Sequence, residues 1–446
     1  MIKGFKAYDI RGEYGSDFTK EQVYKTGYFL PSLLKCNKIL VGRDIRLSSE
    51  EIFTALAQGI THAGCDVYDL GLATTPMVYF FTERHHFDAS VQITASHNPK
   101  HHNGLKISAA HAIPVGYDTG LKELEYKVEH EKVTPVADKG KIISMQGMEE
   151  YQQFLLSYRP DFNNMNIVVD ASNGMANLLI NDIFGTRPYC INQQMDGNFP
   201  AHEPNPLEPQ NVRQLQAEVL QRKADIGVIF DGDADRVMFV DEKGQFIAPD
   251  LMIALLGDYF LPRCRQQAKV LLDIRSSKSV TEYLTAMGAE VHVWRVGRAY
   301  AAMKLREIDG LFGGELAGHY YFKDFFYSDS GILAAILILN VLAEYKNKGL
   351  TVSQVIKKIS VYANSGEINY TVSDKQAVMD KIRDCFCNSE PYEAYYDFDG
   401  YRVEFKDWWF NVRPSNTEPY LRFIAEARTR ELLEEKLEIV NRLINS

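Results

Sequence analysis

The 446-residue sequence predicts an α/β protein of four successive units: three α/β units with mixed, mainly parallel sheets, then a smaller α+β unit. Three observations carry that expectation. Short Val- and Ile-rich runs alternate with amphipathic stretches as far as about Ser360, the mark of βα units. Beyond that point the chain turns strand-like and aromatic. Finally, an apolar strand empties into a polar loop three times, at ITASHNP, IFDGDADR and LFGGELAGH. Loops of this kind sit at the C-terminal ends of strands in α/β sheets, so the three are expected to meet at one central cleft.

The elements follow in order. KILVG leads into SSEEIFTALAQGITHAG, NIVVD into NGMANLLINDIF, and KVLLD into KSVTEYLTAMGAE, each a strand followed by a helix. After Lys139-Gly140 the helical stretch MEEYQQFLLSY opens a new unit. DEKG at 241–244 has the composition of a hairpin turn, and a helix-rich unit starts near Pro249. The tail carries strand-like EINYTVSD, DGYRVEFKDWWFNVRPS and PYLRFIAEA and closes with the helix RELLEEKLEIVNRLINS. Units are therefore expected at 1–141, 142–244, 245–360 and 361–446.

With 46% apolar and 24% charged residues, the composition is that of an ordinary globular protein. A formal charge of -10 repels nucleic acid and anionic membranes, so neither is an expected partner, whereas a small anionic substrate suits any local gathering of Arg and Lys. The N-terminal MIKGFKAYDIRGEYG places acids and glycines where a signal peptide needs an apolar core, so a cytoplasmic protein is expected. GILAAILILNVLA at 331–343 is shorter than the about 20 residues that span a bilayer and is expected as a buried helix. Six cysteines are scattered, and the C-x-C of Cys385 and Cys387 lacks a second pair for zinc; reduced thiols are expected. The pairs His85-His86 and His101-His102 carry no ligand constellation and are expected to be ordinary histidines.

DGDADR at 231–236 is the strongest local signal. Carboxylates at Asp231, Asp233 and Asp235, directly after the apolar IGVIF, can surround a hard divalent cation. An EF-hand would share those positions and Glu242, but Arg236 stands where that loop needs glycine, and the flanks look like strands. Mg2+ is favoured, since it suits few carboxylates plus phosphate oxygens.

On residues alone, Ser96 is accounted for by a turn or a helix N-cap, which Asn98-Pro99 supports. A serine also carries phosphate covalently when a cation neutralises the ester and His97 or Lys106 manages the proton. No G-x-S-x-G elbow is present, which disfavours a Ser-His-Asp hydrolase. GGELAGHYYF at 313–322 has glycine spacing like a P-loop, but His319-Tyr320 replaces the required Lys and Ser or Thr. Glu315 there reads equally as an acceptor for vicinal sugar hydroxyls or as a surface acid. RPSNTEP at 413–419 offers Arg413 with Ser415, Asn416 and Thr417 as a phosphate clamp; Ser415 with Glu418 as a capping box is the weaker reading.

In this order, TASHNP, DGDADR, GELAGH and RPSNTEP resemble the α-D-phosphohexomutase superfamily, over nearly the whole chain from YDIRG onward. FKAYDIRG and GELAGHYYF are most similar to its phosphomannomutase and phosphoglucomutase branch. The resemblance implies four domains around one cleft, the first three of related topology. It implies Ser96 carried as phosphoserine, with one of its oxygens and Asp231, Asp233 and Asp235 holding Mg2+. Lys106 and His97 would handle protons, Tyr8 and Arg11 would line the phosphoserine loop, and Arg236 would support the metal loop. Glu315, with Ala317 and His319 in the same loop, would read the sugar, while Arg413, Ser415, Asn416 and Thr417 would hold the phosphate that is not reacting. Three positions depart from the family pattern: Ala317 replaces a usual serine, Arg298 a frequent histidine and Arg275 a common lysine. Both arginines are expected to serve phosphate or sugar.

The expected activity is interconversion of mannose 6-phosphate and mannose 1-phosphate through a hexose 1,6-bisphosphate, which also acts as activator. Phosphoglucomutase as the main activity is the alternative; a metal-dependent phosphohydrolase and a binding-only protein stand further off. Mannose and glucose differ only at C2, and one hydrogen bond discriminates by about 1 kcal/mol, less than tenfold in rate. A monomer or homodimer is expected.

Overall fold

A computed structural model describes residues 2–415 and 419–445. The first sheet runs Ile10–Glu13, His102–Ala109, Ala89–Ile93, Lys38–Arg43, Asp66–Leu72 and Ile142–Ser144, with the short Ile113–Pro114 beside His102–Ala109. Lys38–Arg43 is parallel to both of its neighbours, and His102–Ala109 is antiparallel to Ala89–Ile93. This sheet reaches Ser144, past the boundary expected at 141, because Ile142–Ser144 pairs in parallel with Asp66–Leu72.

The next two sheets repeat the same plan. Ile167–Asp170 lies parallel between Tyr189–Ile191 and Ile226–Phe230, and Ile226–Phe230 forms an antiparallel hairpin with Val237–Asp241. Lys269–Asp273 lies parallel between Glu290–Trp294 and Phe312–Gly314, and Phe312–Gly314 forms one with Tyr320–Phe322. Central strands such as IVVD and IGVIF are buried along their whole length, as continuous apolar runs covered on both faces must be. The DEKG turn does join antiparallel strands, with Gly244 at φ +73, a conformation glycine adopts without a Cβ clash.

Helices form where the apolar positions recur at helical spacing. In Ser49–His62, Ile52, Phe53, Leu56 and Ile60 are buried, and in Thr75–Arg84 the Thr74 hydroxyl caps the N–H of Met77 at 3.2 Å. NGMANLLINDIF is not one helix. Ser172 and Asn173 both take left-handed φ near 51°, and Leu179 at φ −127 separates a short 3-10 turn, Met175–Leu178, from the helix Ile180–Phe184.

The last sheet is antiparallel throughout: Ala363–Asn364, Leu421–Ala427, Trp408–Pro414, Tyr401–Glu404 and Ala394–Tyr396, with Ile368–Tyr370 also on Leu421–Ala427. It has its own core, where Phe386, Trp408, Phe410 and Phe423 meet Leu433 of the helix Arg430–Asn445. In contrast, one large core runs through the first three units, joining Phe80 and Phe81 to Phe230, Phe239, Phe312 and Ile336. The helix Gly331–Asn347 is buried in that core, as its apolar run requires. No helix among the described residues is long and apolar enough to cross a membrane. All six cysteines are free, Cys36 and Cys65 buried and Cys264 exposed.

Candidate active site

The loops that follow Ala89–Ile93, Ile226–Phe230 and Phe312–Gly314 come from the same position in three sheets. They bring Ser96, the aspartates at 231, 233 and 235, and Glu315 with His319 to one cleft.

Ser96 is 1% exposed and takes a left-handed φ of 50°. Its N–H donates to Thr94 Oγ1 at 2.8 Å, and the N–H of Asn98 closes a turn on the Ala95 carbonyl at 3.0 Å. The turn reading of Ser96 is thus correct as geometry, and no helix follows to be capped. Its hydroxyl is nonetheless aimed: Oγ donates to Asp231 Oδ2 at 2.8 Å and lies 3.3 Å from His97 Nδ1. Arg236 also contacts His97 Nδ1, and Arg11 donates to Asn98 Oδ1 at 3.2 Å while pairing with Asp9.

The three aspartates are fully buried, and one ligand oxygen from each lies within 4.8 Å of the others. Lys106 Nζ donates to Asp233 Oδ2 at 2.6 Å and Asp235 Oδ2 at 2.5 Å, while Arg236 Nε lies 3.3 Å from Asp231 Oδ2. Thr75 adds a hydroxyl to Asp233. Two cations therefore face three carboxylates, and the buried Asp233 Oδ1 and Asp235 Oδ1 have no donor. A divalent cation fits that donor set, and a phosphate on Ser96 would add further need for one. Burial, with Asp235 and Asp233 alongside, pushes Asp231 well above the usual carboxylate range. Burial also opposes ionisation of Asp233, but the Lys106 ammonium prevails and holds it at about 2. The EF-hand alternative fails on geometry: the flanks are an antiparallel hairpin, and Glu242 accepts from the N–H and hydroxyl of Ser353.

Glu315 is not a surface acid. At 2% exposure it accepts the N–H of Gly297 at 2.6 Å and the hydroxyl of Tyr321 at 3.0 Å, which leaves lone pairs on both oxygens. His319 Nδ1 lies 2.6 Å from Asp329 Oδ2 and 3.8 Å from Asp235 Oδ1. Arg298 reaches the same Asp329 with Nε at 3.2 Å and stacks 3.9 Å over the Tyr79 ring. Ala317 adds no side-chain polar group to this loop.

Arg413 is the last buried residue of the strand Trp408–Pro414, with Nη1 3.4 Å from Asp399. Burial and the nearby Arg275 lower its pKa. Arg275 itself is held by Asp273 at 2.8 Å and lies 3.7 Å from Glu367, which also receives Arg422 at 3.0 Å. Ser415 donates its N–H to the Tyr420 carbonyl at 2.9 Å; Asn416 and Thr417 lie outside the described residues. The segment at 296–298 ties these parts together, because Val296 N–H donates to Asp399 at 2.8 Å and Gly297 N–H to Glu315. Tyr8 belongs to this junction: its hydroxyl donates to the Val296 carbonyl at 3.3 Å and its ring meets Tyr300 edge-on.

Sequence reasoning missed Thr75, Asp329, Asp399 and Arg46. The first three sit in ordinary sequence and act only through distant partners. For Arg46 a signal existed: DIRLS at 44–48 repeats as DIRSS at 273–277.

Three sheets of one plan and a separate antiparallel unit, enclosing a buried serine, a carboxylate cage and an arginine pair, define a four-unit phosphohexose mutase architecture. In order, the chain matches the alpha/beta/alpha domains I, II and III and the C-terminal domain of phosphoglucomutase/phosphomannomutase, over 3–134, 149–244, 248–362 and 367–442. It belongs to the phosphoglucomutase/phosphomannomutase family. It is 35% identical to a phosphomannomutase of Escherichia coli, covering 95% of each chain. It is likewise 35% identical to one of Methanocaldococcus jannaschii, covering 99% of this chain and 97% of the relative. The structure is similar to that of a phosphoglucomutase/phosphomannomutase family protein from Burkholderia thailandensis, with a TM-score of 0.88 at 28% identity over 99% of this chain and 97% of that one.

Proposed function

We propose that this chain is a phosphomannomutase that interconverts mannose 6-phosphate and mannose 1-phosphate, with Ser96 as the phosphoryl carrier. The observation that carries the reading is the Ser96 hydroxyl, buried and 2.8 Å from Asp231 inside a carboxylate cage that Lys106 closes. The curated relatives that match over their full length support mannose phosphate as substrate.

In the forward step the bond from phosphorus to Ser96 Oγ breaks as one forms to the free hydroxyl of the sugar monophosphate. The hydroxyl proton passes to a cleft base, and Ser96 Oγ is protonated in exchange; His97 and Lys106 are the groups within reach. The hexose 1,6-bisphosphate so formed turns around, and its other phosphate returns to Ser96. Added bisphosphate would keep the serine loaded, hence its role as activator. Mg2+ held by Asp231, Asp233, Asp235 and a phosphate oxygen would offset charge on the transferred group. Arg11 and Arg236 add fixed positive charge, Glu315 and His319 face the sugar, and Arg275, Arg298, Arg413 and Ser415 receive phosphate.

Phosphorus NMR tests the reading. With Mg2+, a trace of glucose 1,6-bisphosphate and mannose 1-phosphate, a 6-phosphate signal should grow; chelation of the metal or Ser96→Ala should stop it. Growth of free phosphate instead would make the protein a hydrolase, and no change at all would leave a binding protein. A faster reaction with glucose 1-phosphate would reassign the sugar.

A further inference from the structure

The turn after the central strand is built alike in three units. Arg46 N–H donates to Asp44 Oδ1 at 3.0 Å, Ser172 N–H to Asp170 Oδ1 at 2.8 Å, and Arg275 N–H to Asp273 Oδ1 at 2.7 Å. Each turn then grips the functional loop leaving the neighbouring strand. In the second unit Met175 N–H donates to the Gly232 carbonyl at 2.9 Å, and in the third Asp273 Oδ2 accepts Leu316 N–H at 2.7 Å. In the first unit the grip is a side chain, Arg46. Its NH2 donates to the carbonyls of Ser96 at 2.8 Å and Asn98 at 2.6 Å, and its NH1 to those of Pro99 at 2.7 Å and His102 at 2.9 Å.

We propose that Arg46 is the positioning residue of the serine loop, acting on the reaction through the backbone of Ser96. Three carbonyls of the loop and that of His102, where the next strand begins, converge on a single planar fork, an arrangement that a flexible point charge does not reproduce. The fork is fixed from behind: the guanidinium is wholly buried, its Nε lies 3.2 Å from Asp44 Oδ2, and Phe199 of the second unit lies beneath it at 5.1 Å. Asp44 is held in turn by the Ser49 hydroxyl at 2.6 Å. Ser96 needs such support, because its left-handed φ of 50° is a conformation that L side chains rarely adopt and that persists only where surrounding contacts over-determine it. Released from the fork, the loop relaxes and Oγ leaves its line to Asp231.

The proposal rests on Ser96 as the phosphoryl carrier, and the experiment separates the two ideas. Arg46→Lys, Asp44→Asn and Ser96→Ala are assayed for turnover of mannose 1-phosphate, with kcat expressed per site titrated by glucose 1,6-bisphosphate so that unfolded protein does not count. Arg46→Lys should lose about 100-fold in kcat per titrated site, with KM within about threefold, as expected when a reacting group is misplaced by about 1 Å. Asp44→Asn keeps an oxygen acceptor for the Arg46 N–H and should lose about tenfold in the same pattern. Undiminished kcat per site in Arg46→Lys, or in Asp44→Asn should the lysine variant fail to fold, would overturn the positioning role. Full turnover by Ser96→Ala would instead remove the carrier reading itself.

Discussion

Arg298 has two commitments and one free group. Its Nε is given to Asp329 and its plane to Tyr79, while its buried NH2 meets no acceptor. A buried guanidinium nitrogen without a partner is expensive unless an anion arrives, so phosphate contact by Arg298 is the natural use of that group. Arg298→Ala should lower kcat/KM by at least about tenfold, the worth of one charge-assisted hydrogen bond; near-unchanged kinetics would remove Arg298 from the site. At this scale the sequence was legible where chemistry dictates residue type. Three aspartates at alternate positions after an apolar strand have few other uses, and Ser96 stood out once its companions were seen. Asp329 and Thr75 were illegible for the opposite reason: Thr75 reaches Asp233 across 158 residues of chain, and nothing local marks it.

Two loops, rather than two side chains, decide how Ser96 meets the aspartates. A Cβ built on Gly232 would stand 2.6 Å from the Ser96 carbonyl, a backbone atom with no freedom to withdraw. Gly232→Ala should therefore push the metal loop off the serine loop and reduce activity by about 100-fold while circular dichroism stays native; retained activity would mean the loops tolerate separation. The glycine of DGDADR is thus required by close approach of backbone rather than by a turn. Strands and hairpins were readable from their apolar runs and turn residues, as at DEKG and in the hairpin of DGYRVEFKDWWFNVRPS. The segment at 172–184 was not, because left-handed Ser172 and Asn173 delay the first helical turn and Leu179 at φ −127 divides what its composition reads as one helix. Tyr8, expected to line the serine loop, makes contact with the segment at 296–300, a contact between units that chain pattern does not announce.

Across the molecule, cations gather in the cleft of a chain whose net charge is -10, with Arg11, Lys106, Arg236, Arg275, Arg298 and Arg413 all buried or nearly so. The fourth unit docks on the third through buried polar groups and an aromatic contact, Trp294 against Phe398 with ring centroids 5.1 Å apart. Arg402 donates to the carbonyls of Ile274 at 2.9 Å and Ser276 at 2.6 Å, and Glu426 accepts the Ser277 hydroxyl at 2.8 Å and the Lys278 N–H at 3.2 Å. Behind Ser277 stands Asp250, whose carboxyl burial and the neighbouring Glu426 push up to about 7. A carboxyl raised above its unfolded value favours folding while protonated, so its contribution is complete below about pH 4 and lost by about pH 7. That loss amounts to about 4 kcal/mol at most. Denaturant titrations should show stability falling over that window in the wild type and less steeply in Asp250→Asn; parallel curves would assign the pH dependence elsewhere. Three units share one apolar core, and the fourth keeps its own. An interface with this share of hydrogen bonds and ion pairs is of the kind along which neighbouring domains move relative to one another. The reversal proposed for the bisphosphate needs room, and a boundary between separately cored units, rich in polar contacts, is where a chain of this build yields it at least cost.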